Sequence, residues 1–112
     1  MSDERFPKAE RLRKRREFKS ADTRKTARVV TPNLIILRAP NTLGHVRIGI
    51  TVSRKIGKSV ERNRVKRLLR EAYRKNKDVF EPGNDYVLIA RSPRIIGATT
   101  IAQEIVKALG PS

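Results

Sequence analysis

Three groups of residues in this 112-residue chain have types and spacings that could do chemistry. The first is Gly57-Lys58-Ser59, which follows a strand-like stretch and opens a helix-like one. A nucleotide-hydrolysing loop has the form G-x-x-x-x-G-K-[S/T], whose backbone N–H groups wrap a phosphate. Position 52 would have to be glycine and is valine, so the motif is incomplete and nucleotide hydrolysis is not supported. A basic helix start of this kind could still touch a phosphate of a nucleic acid. The second group is the carboxylates and the single histidine. Glu61 and Glu71 fall on one helix, ten residues apart. That is about 15 Å by helical rise, too far for a general acid and base to share one substrate. Asp78, Glu81 and Asp85 flank a turn and read as solvated loop charges. His45 opens a strand on its polar face without an orienting partner. The chain is therefore expected to do no bond chemistry of its own.

The third group carries the argument. Ser53-Arg54-Lys55-Ile56-Gly57 leads into Val60-Glu61-Arg62-Asn63-Arg64-Val65-Lys66-Arg67-Leu68-Leu69-Arg70-Glu71-Ala72-Tyr73-Arg74. Residues 54–77 hold eleven Lys or Arg against Glu61 and Glu71. A solvated helix face normally alternates charge to make i, i+4 pairs, and here most cations lack such a partner. Guanidinium forks bind phosphate bidentately and stack on bases, so an arginine-rich face points to a polyanion. Membrane adsorption is the weaker alternative, because the apolar face has the residues of a globular core and no Trp.

Those cations need elements to hold them. Val65, Leu68, Leu69, Ala72 and Tyr73 recur at i, i+3, i+4, i+7 and i+8, which predicts a helix from about Val60 to Lys77. Asn63, Lys66, Arg67, Arg70, Arg74 and Lys77 fall on its opposite side, and Arg62 and Arg64 on the two borders. Ser59 is the expected N-cap. Upstream, Pro32 to Pro40 brackets a strand around Leu34-Ile35-Ile36-Leu37. Asn41-Thr42-Leu43-Gly44 reads as a turn. In the next strand Val46, Ile48, Ile50 and Val52 alternate with His45, Arg47, Gly49, Thr51 and Ser53. Strand, short turn and strand suggest an antiparallel hairpin. Residues 13–23 favour a helix on which Phe18 and Ala21 share a face. Tyr86-Val87-Leu88-Ile89-Ala90 is a third strand, ended by Ser92-Pro93. A last helix is expected over Thr99–Leu109, stopped by Gly110-Pro111, with Ile101, Ile105, Val106 and Leu109 on one side. The expected fold is α+β: a small two-layer sandwich of a mixed sheet and helices, in the order α-β-β-α-β-α. It forms one domain over residues 1–112, with residues 1–10 a loose arm.

Composition narrows the partners. Twenty-seven Lys and Arg against eleven Asp and Glu leave a formal charge of +16, which repels itself unless a polyanion is bound. The excess sits in residues 1–30, net +6, and residues 54–77, net +9, whereas residues 78–112 are net −1. Without cysteine there are no disulfides or thiolate metal sites. No apolar run approaches the roughly 18 residues of a membrane span. No secretory pattern opens the chain, so the expected location is the cytoplasm.

At these residues the sequence resembles the bacterial ribonuclease P protein subunit. The matching series is Arg47-Ile48-Gly49-Ile50-Thr51-Val52-Ser53-Arg54-Lys55-Ile56-Gly57, then Val60-Glu61-Arg62-Asn63-Arg64 and the helix through Arg74. Arg11-Leu12, Glu17-Phe18 and Asp85-Tyr86-Val87-Leu88-Ile89-Ala90-Arg91 fit in order and spacing. The resemblance covers about residues 11–109. It implies an accessory subunit: a large RNA removes the 5′ leader of precursor tRNA with magnesium ions, and the small basic protein binds that RNA and the leader. It implies no cofactor held by the protein, no membrane and no obligatory protein partner. It also implies a left-handed strand–helix–strand crossover, against the usual right-handed rule.

By position, Arg62, Asn63, Arg64, Lys66, Arg67 and Arg70 match the helix that faces the catalytic RNA, and Arg54 and Lys55 the basic loop before it. Phe18 matches an aromatic position in the cleft where the single-stranded leader runs. Arg47, Gly49, Thr51 and Ser53 would line the same cleft, Gly49 allowing a backbone to approach closely. Two positions depart from the family's habit, Asp22 and Leu37, where relatives often place aromatic residues. Leader contact would then rest more on charge and apolar packing than on stacking. A structural RNA-binding protein, such as a ribosomal one, explains the charge equally well but predicts no single-strand cleft.

Overall fold

A computed structural model describes residues 8–91 and 97–110. Its regular elements run α1 (Arg15–Arg24), β1 (Ala27–Val30), β2 (Leu34–Pro40), β3 (Arg47–Thr51), α2 (Ser59–Lys75), β4 (Asn84–Ala90) and α3 (Ala98–Leu109). Short 3-10 turns occupy Lys8–Glu10, Arg54–Ile56 and Lys77–Val79. The fold is α+β, as the sequence suggests, with one strand more than expected. Residues 1–7 of the expected loose arm lie outside the described residues, as do Ser92-Pro93 and Pro111. Lys8–Glu10 are not loose, because Glu10 accepts from the Tyr73 hydroxyl at 2.6 Å and pairs with Lys77 at 3.1 Å.

The sheet order is β1-β2-β4-β3, with β4 antiparallel to β2 and parallel to β3. The hairpin expected between β2 and β3 therefore does not form. β4 lies between them because its Tyr86, Val87 and Leu88 are buried on both faces of the sheet, and a strand apolar on both faces belongs in the interior. β3 reaches β4 through α2, a crossover between parallel neighbours. The hairpin instead joins β1 to β2: Pro32 and Asn33 form its turn, closed by the Thr31 N–H donating to the Leu34 carbonyl at 2.8 Å. Four residues of β1 carry too short a pattern to read as a strand.

Side-chain alternation divides the sheet into two faces. Leu34, Ile36, Ile48, Tyr86 and Leu88 pack on Val65, Leu69, Ala72 and Tyr73 of α2 and on Ile101 and Ile105 of α3. Each Val, Leu or Ile among them contributes about 1.5–3 kcal/mol when fully buried. Phe80 stands edge-on to Tyr73 and Tyr86, with ring centroids 5.1 Å apart in both pairs. Val106, expected on the buried side of the last helix, is instead exposed. The other face carries a smaller cluster, in which Leu12, Phe18 and Ala21 cover Leu37, Ala39 and Val87. Thus α2 and α3 form the main layer against the sheet, and α1 covers part of the opposite face.

Helix ends show local chemistry. Glu17, in the first turn of α1, reaches back to accept from the backbone N–H groups of Arg13 and Lys14 at 2.8 and 2.9 Å. Ser59 is the first residue of α2 rather than its cap; Lys58 is the N-cap, and the Ser59 hydroxyl accepts from Arg62 at 3.1 Å. The helix stops at Lys75, and Lys77 falls in the following 3-10 turn.

Candidate nucleic-acid interface

The exposed side of α2 carries Asn63, Arg67 and Arg70, with Arg62, Arg64 and Lys66 half-buried beside them. Burial of Val65, Leu69, Ala72 and Tyr73 fixes the helix's rotation and so presents this row outward. Acidic neighbours neutralise only part of the helix. Glu61 pairs with Arg64 at 3.5 Å, and Glu71 pairs with Arg74 at 3.0 Å and Lys75 at 3.7 Å. These two cations hold the Glu71 carboxyl below its ordinary range. Among the described residues, Arg54, Lys55, Lys66, Arg67 and Arg70 have no carboxylate partner. Arg62 donates to Ser59, but its Nε is buried without a partner.

The basic loop is pinned from within. Ile56 is buried under it, which turns the neighbouring Arg54 and Lys55 into solvent. Gly57 has φ +149°, a region that favours glycine, and a Cβ there would press on Glu61 at 3.2 Å. The loop follows β3 directly and leads into α2. It therefore sits at the sheet edge where the α2 side and the α1 side of the molecule meet.

The α1 side is built in rows across the strands. One row is Val30, Ile35, Ile89 and Thr51, consecutive partners by strand register. Val30 and Thr51 are exposed and Ile35 and Ile89 half-buried, so this row is an open strip. The next row holds Leu37, Val87 and Gly49, with the first two buried beneath α1. Phe18 stands over Gly49: a Cβ at position 49 would lie 2.5 Å from Phe18 Cε2 and 3.0 Å from Leu12 Cδ1. The glycine expected to admit a ligand backbone thus admits a ring of the same chain. Leu37, one of the two positions where the resemblance leads one to expect an aromatic residue, is buried in this cluster. Asp22 pairs with Lys25 at 3.0 Å, which offsets its repulsion of phosphate. Arg15, Arg16 and Lys19 surround Phe18 at an open depression. Ser53 is exposed beyond Thr51, and Arg91 is exposed beyond Ile89, donating to the Thr31 carbonyl at 2.7 Å.

The third row is polar and buried. Asp85, expected to be a solvated turn charge, has a fully buried side chain. Its Oδ1 accepts from Arg47 Nε at 2.9 Å and Asn41 Nδ2 at 2.8 Å. Its Oδ2 accepts from Arg47 Nη2 at 2.9 Å and Arg24 Nη2 at 3.2 Å. Burial pushes this carboxyl upward in pKa, but the hydrogen bonds from Arg47 and Asn41 and the nearby guanidinium charge outweigh it and hold it below its ordinary value. Arg47 Nη1 donates in turn to Glu17 Oε2 at 3.2 Å. Hydrogen bonds from the Lys14 and Arg13 backbone, helped by the Arg47 charge, keep the Glu17 carboxyl below its ordinary range. Arg47, with 19% of its side chain exposed, is thus occupied by partners within the chain.

The structure therefore brings Phe18, Gly49, Thr51 and Ser53 to one side of the sheet. It places Arg62, Asn63, Arg64, Lys66, Arg67 and Arg70 on α2, and Arg54 and Lys55 at the edge between. Sequence reasoning missed Val30, Ile35 and Ile89; the period-two alternation of β2 and β4 contained the signal but not which face α1 leaves bare. Among the described residues no three His, Asp or Glu side chains are grouped so as to hold a metal ion.

Known proteins share this fold. The family model described as Ribonuclease P matches residues 6–111. The ribonuclease P protein component of Petrotoga mobilis is 44% identical over 91 residues, covering 81% of this chain and 76% of the relative. That of Citrifermentans bemidjiense is 36% identical over 110 residues, covering 98% and 94%. Among solved structures, the Thermotoga maritima RNase P protein superposes with TM-score 0.79 at 32% identity, covering 89% of this chain and 94% of that one. The Staphylococcus aureus RNase P protein gives TM-score 0.79 at 29% identity, covering 91% and 94%. With its two-sided sheet, its arginine-rich helix and matches across nearly its whole length, this chain belongs to the bacterial ribonuclease P protein family, the accessory protein components of a tRNA-processing endoribonuclease.

Proposed function

We propose that this protein binds a ribonuclease P RNA through α2 and the Arg54–Lys55 loop, and the single-stranded 5′ leader of precursor tRNA through the α1 side of the sheet. The observation that carries the reading is the set of cations without carboxylate partners on α2 and the adjoining loop, at the edge of an open apolar strip. Lys66, Arg67 and Arg70 can each meet an RNA phosphate without first breaking an internal ion pair, so their binding energy is not consumed in desolvating one. Releasing counterions from RNA would supply much of the affinity.

On the other side, Phe18 offers an aromatic edge and Val30, Ile35, Ile89 and Thr51 a shallow floor for unstacked bases. Arg15, Arg16, Lys19 and Arg91 stand around it, where leader phosphates would pass. With Phe18 the one aromatic residue at the cleft among the described residues, contact relies on apolar packing and charge more than on stacked bases. The protein contributes binding and screening of phosphate repulsion. Magnesium belongs with the RNA in this reading, and no step is assigned to a metal held by the protein.

The test is cleavage of a precursor tRNA by a ribonuclease P RNA at low magnesium, with and without this protein. Restored cleavage at the correct 5′ position supports the reading. Binding to RNA with no gain in cleavage by a cognate RNA favours a structural RNA-binding role instead.

A further inference from the structure

The apolar attachment of α1 is small. In this ten-residue helix only Phe18 and Ala21 are apolar beyond the cap, and Phe18 is half-buried. So little apolar surface cannot by itself fix how a helix is rotated, because apolar contact is non-directional. Direction comes from elsewhere. Glu17 and Arg24 lie two turns apart on one side of α1, with Ala21 between them. Both reach the same buried centre: Glu17 through Arg47, and Arg24 directly to Asp85. Arg24 also donates to the Pro40 carbonyl at the end of β2. The helix is thus held at two points along its length by hydrogen bonds that have a required geometry.

We propose that Glu17 and Asp85 are positioning residues for leader recognition, and that Arg47 serves as the strut between them rather than as a direct contact to a leader phosphate. The two-point attachment fixes the rotation and height of α1 above the sheet. That sets where Phe18 stands over Gly49 and how much of the Val30–Thr51 strip stays open. Arg47 meets two carboxylates at once, Asp85 through two nitrogens and Glu17 through the third, which the guanidinium fork can do and an ammonium cannot. A buried carboxylate with every acceptor site filled is a poor source of net stability but a specific one of geometry. This inference rests on the reading that the leader runs along the α1 side.

The experiment measures binding of precursor tRNA and of mature tRNA to the complex of ribonuclease P RNA with each protein variant, at several salt concentrations. The variants are Phe18→Ala, Glu17→Gln, Arg47→Lys, Arg47→Ala and Asp85→Asn. Glu17→Gln keeps an oxygen for the α1 cap but presents an amide to Arg47. We expect Glu17→Gln and Arg47→Lys each to lower the preference for precursor over mature tRNA by about five- to tenfold, comparable with the removal of one stacked base. The salt dependence of precursor binding and the affinity of the protein for the RNA subunit should stay as in the parent. A merely destabilising change would lower RNA-subunit affinity as well. If Arg47→Lys retains the preference while Arg47→Ala lowers the salt slope by about the share of one phosphate, Arg47 touches the leader and the positioning role is overturned. If Phe18→Ala lowers the preference but Glu17→Gln does not, the strut is overturned and the leader site stands. If Phe18→Ala has no effect, the leader site itself fails and the inference falls with it. Should Asp85→Asn not fold, Glu17→Gln and Arg47→Lys decide the question alone.

Discussion

Phe18 and Gly49 are packed so closely that a single methyl group at position 49 would stand 2.5 Å from Cε2 of the ring. The ring belongs to α1 and the glycine to β3, so at the height its polar attachments give the helix there is no room for a side chain at position 49. Gly49→Ala is expected to destabilise the protein by about 1–3 kcal/mol, the range for overpacking a filled site. Phe18→Ala opens the space, so the double variant should lose less than the sum of the two single changes. Urea midpoints of the four proteins check this; a neutral Gly49→Ala would mean that Phe18 swings aside at no cost.

Arg67→Ala and Arg70→Ala remove exposed cations that have no carboxylate partner among the described residues. Thermal stability should change by no more than about 0.5 kcal/mol, as for ordinary surface substitutions. Affinity for the RNA subunit should fall, and the slope of log affinity against log salt should flatten by about 0.7–0.9 for each phosphate no longer neutralised. Filter binding across a salt series reads both; an unchanged slope would take these residues out of the interface.

Phe18→Ala should weaken binding of leader-bearing precursor by about 1–3 kcal/mol, the worth of one stacked base. Mature tRNA should lose much less. Equal losses for the two substrates would move the leader away from this side of the sheet.

The Asp85 and Glu17 carboxyls both titrate below their ordinary values in the folded protein. Their contribution to stability is complete above the ordinary values of 3.8 and 4.5 and is lost as pH falls below them toward the depressed folded values. The protein should therefore lose stability steeply under acid. Asp85→Asn should be less stable near neutral pH and show a shallower acid limb. Unfolding midpoints from pH 7 down into the acid range measure this; parallel curves for the two proteins would contradict it.

Much of this molecule was legible in the order of its residues. The α2 periodicity stated which side is buried and which carries Arg67 and Arg70, because a helix places residues three and four apart on one face whatever surrounds it. The alternation of β3 likewise put Ile48 toward the core and Gly49 and Thr51 on the other face. The long ordered motif series identified the family. These are local or pattern-level properties, and a one-dimensional reading can reach them.

Pairing between strands is not such a property. The turn after Pro40 suggested a hairpin, but burial of both faces of Tyr86–Leu88 made β4 the better neighbour for β2 and β3 alike. Only that pairing sets Val30, Ile35, Ile89 and Thr51 side by side as an open strip. The same holds for Asp85. Beside a Pro-Gly turn it reads as a solvated charge. In the folded chain Arg24, Asn41 and Arg47, distant in sequence, converge on it and replace its water. Residue types and periods determined which surfaces are basic and which are apolar; the closure of distant segments onto β4 decided where the open strip lies and what holds α1 beside it, because desolvated hydrogen bonds between remote residues exist only once the sheet has formed.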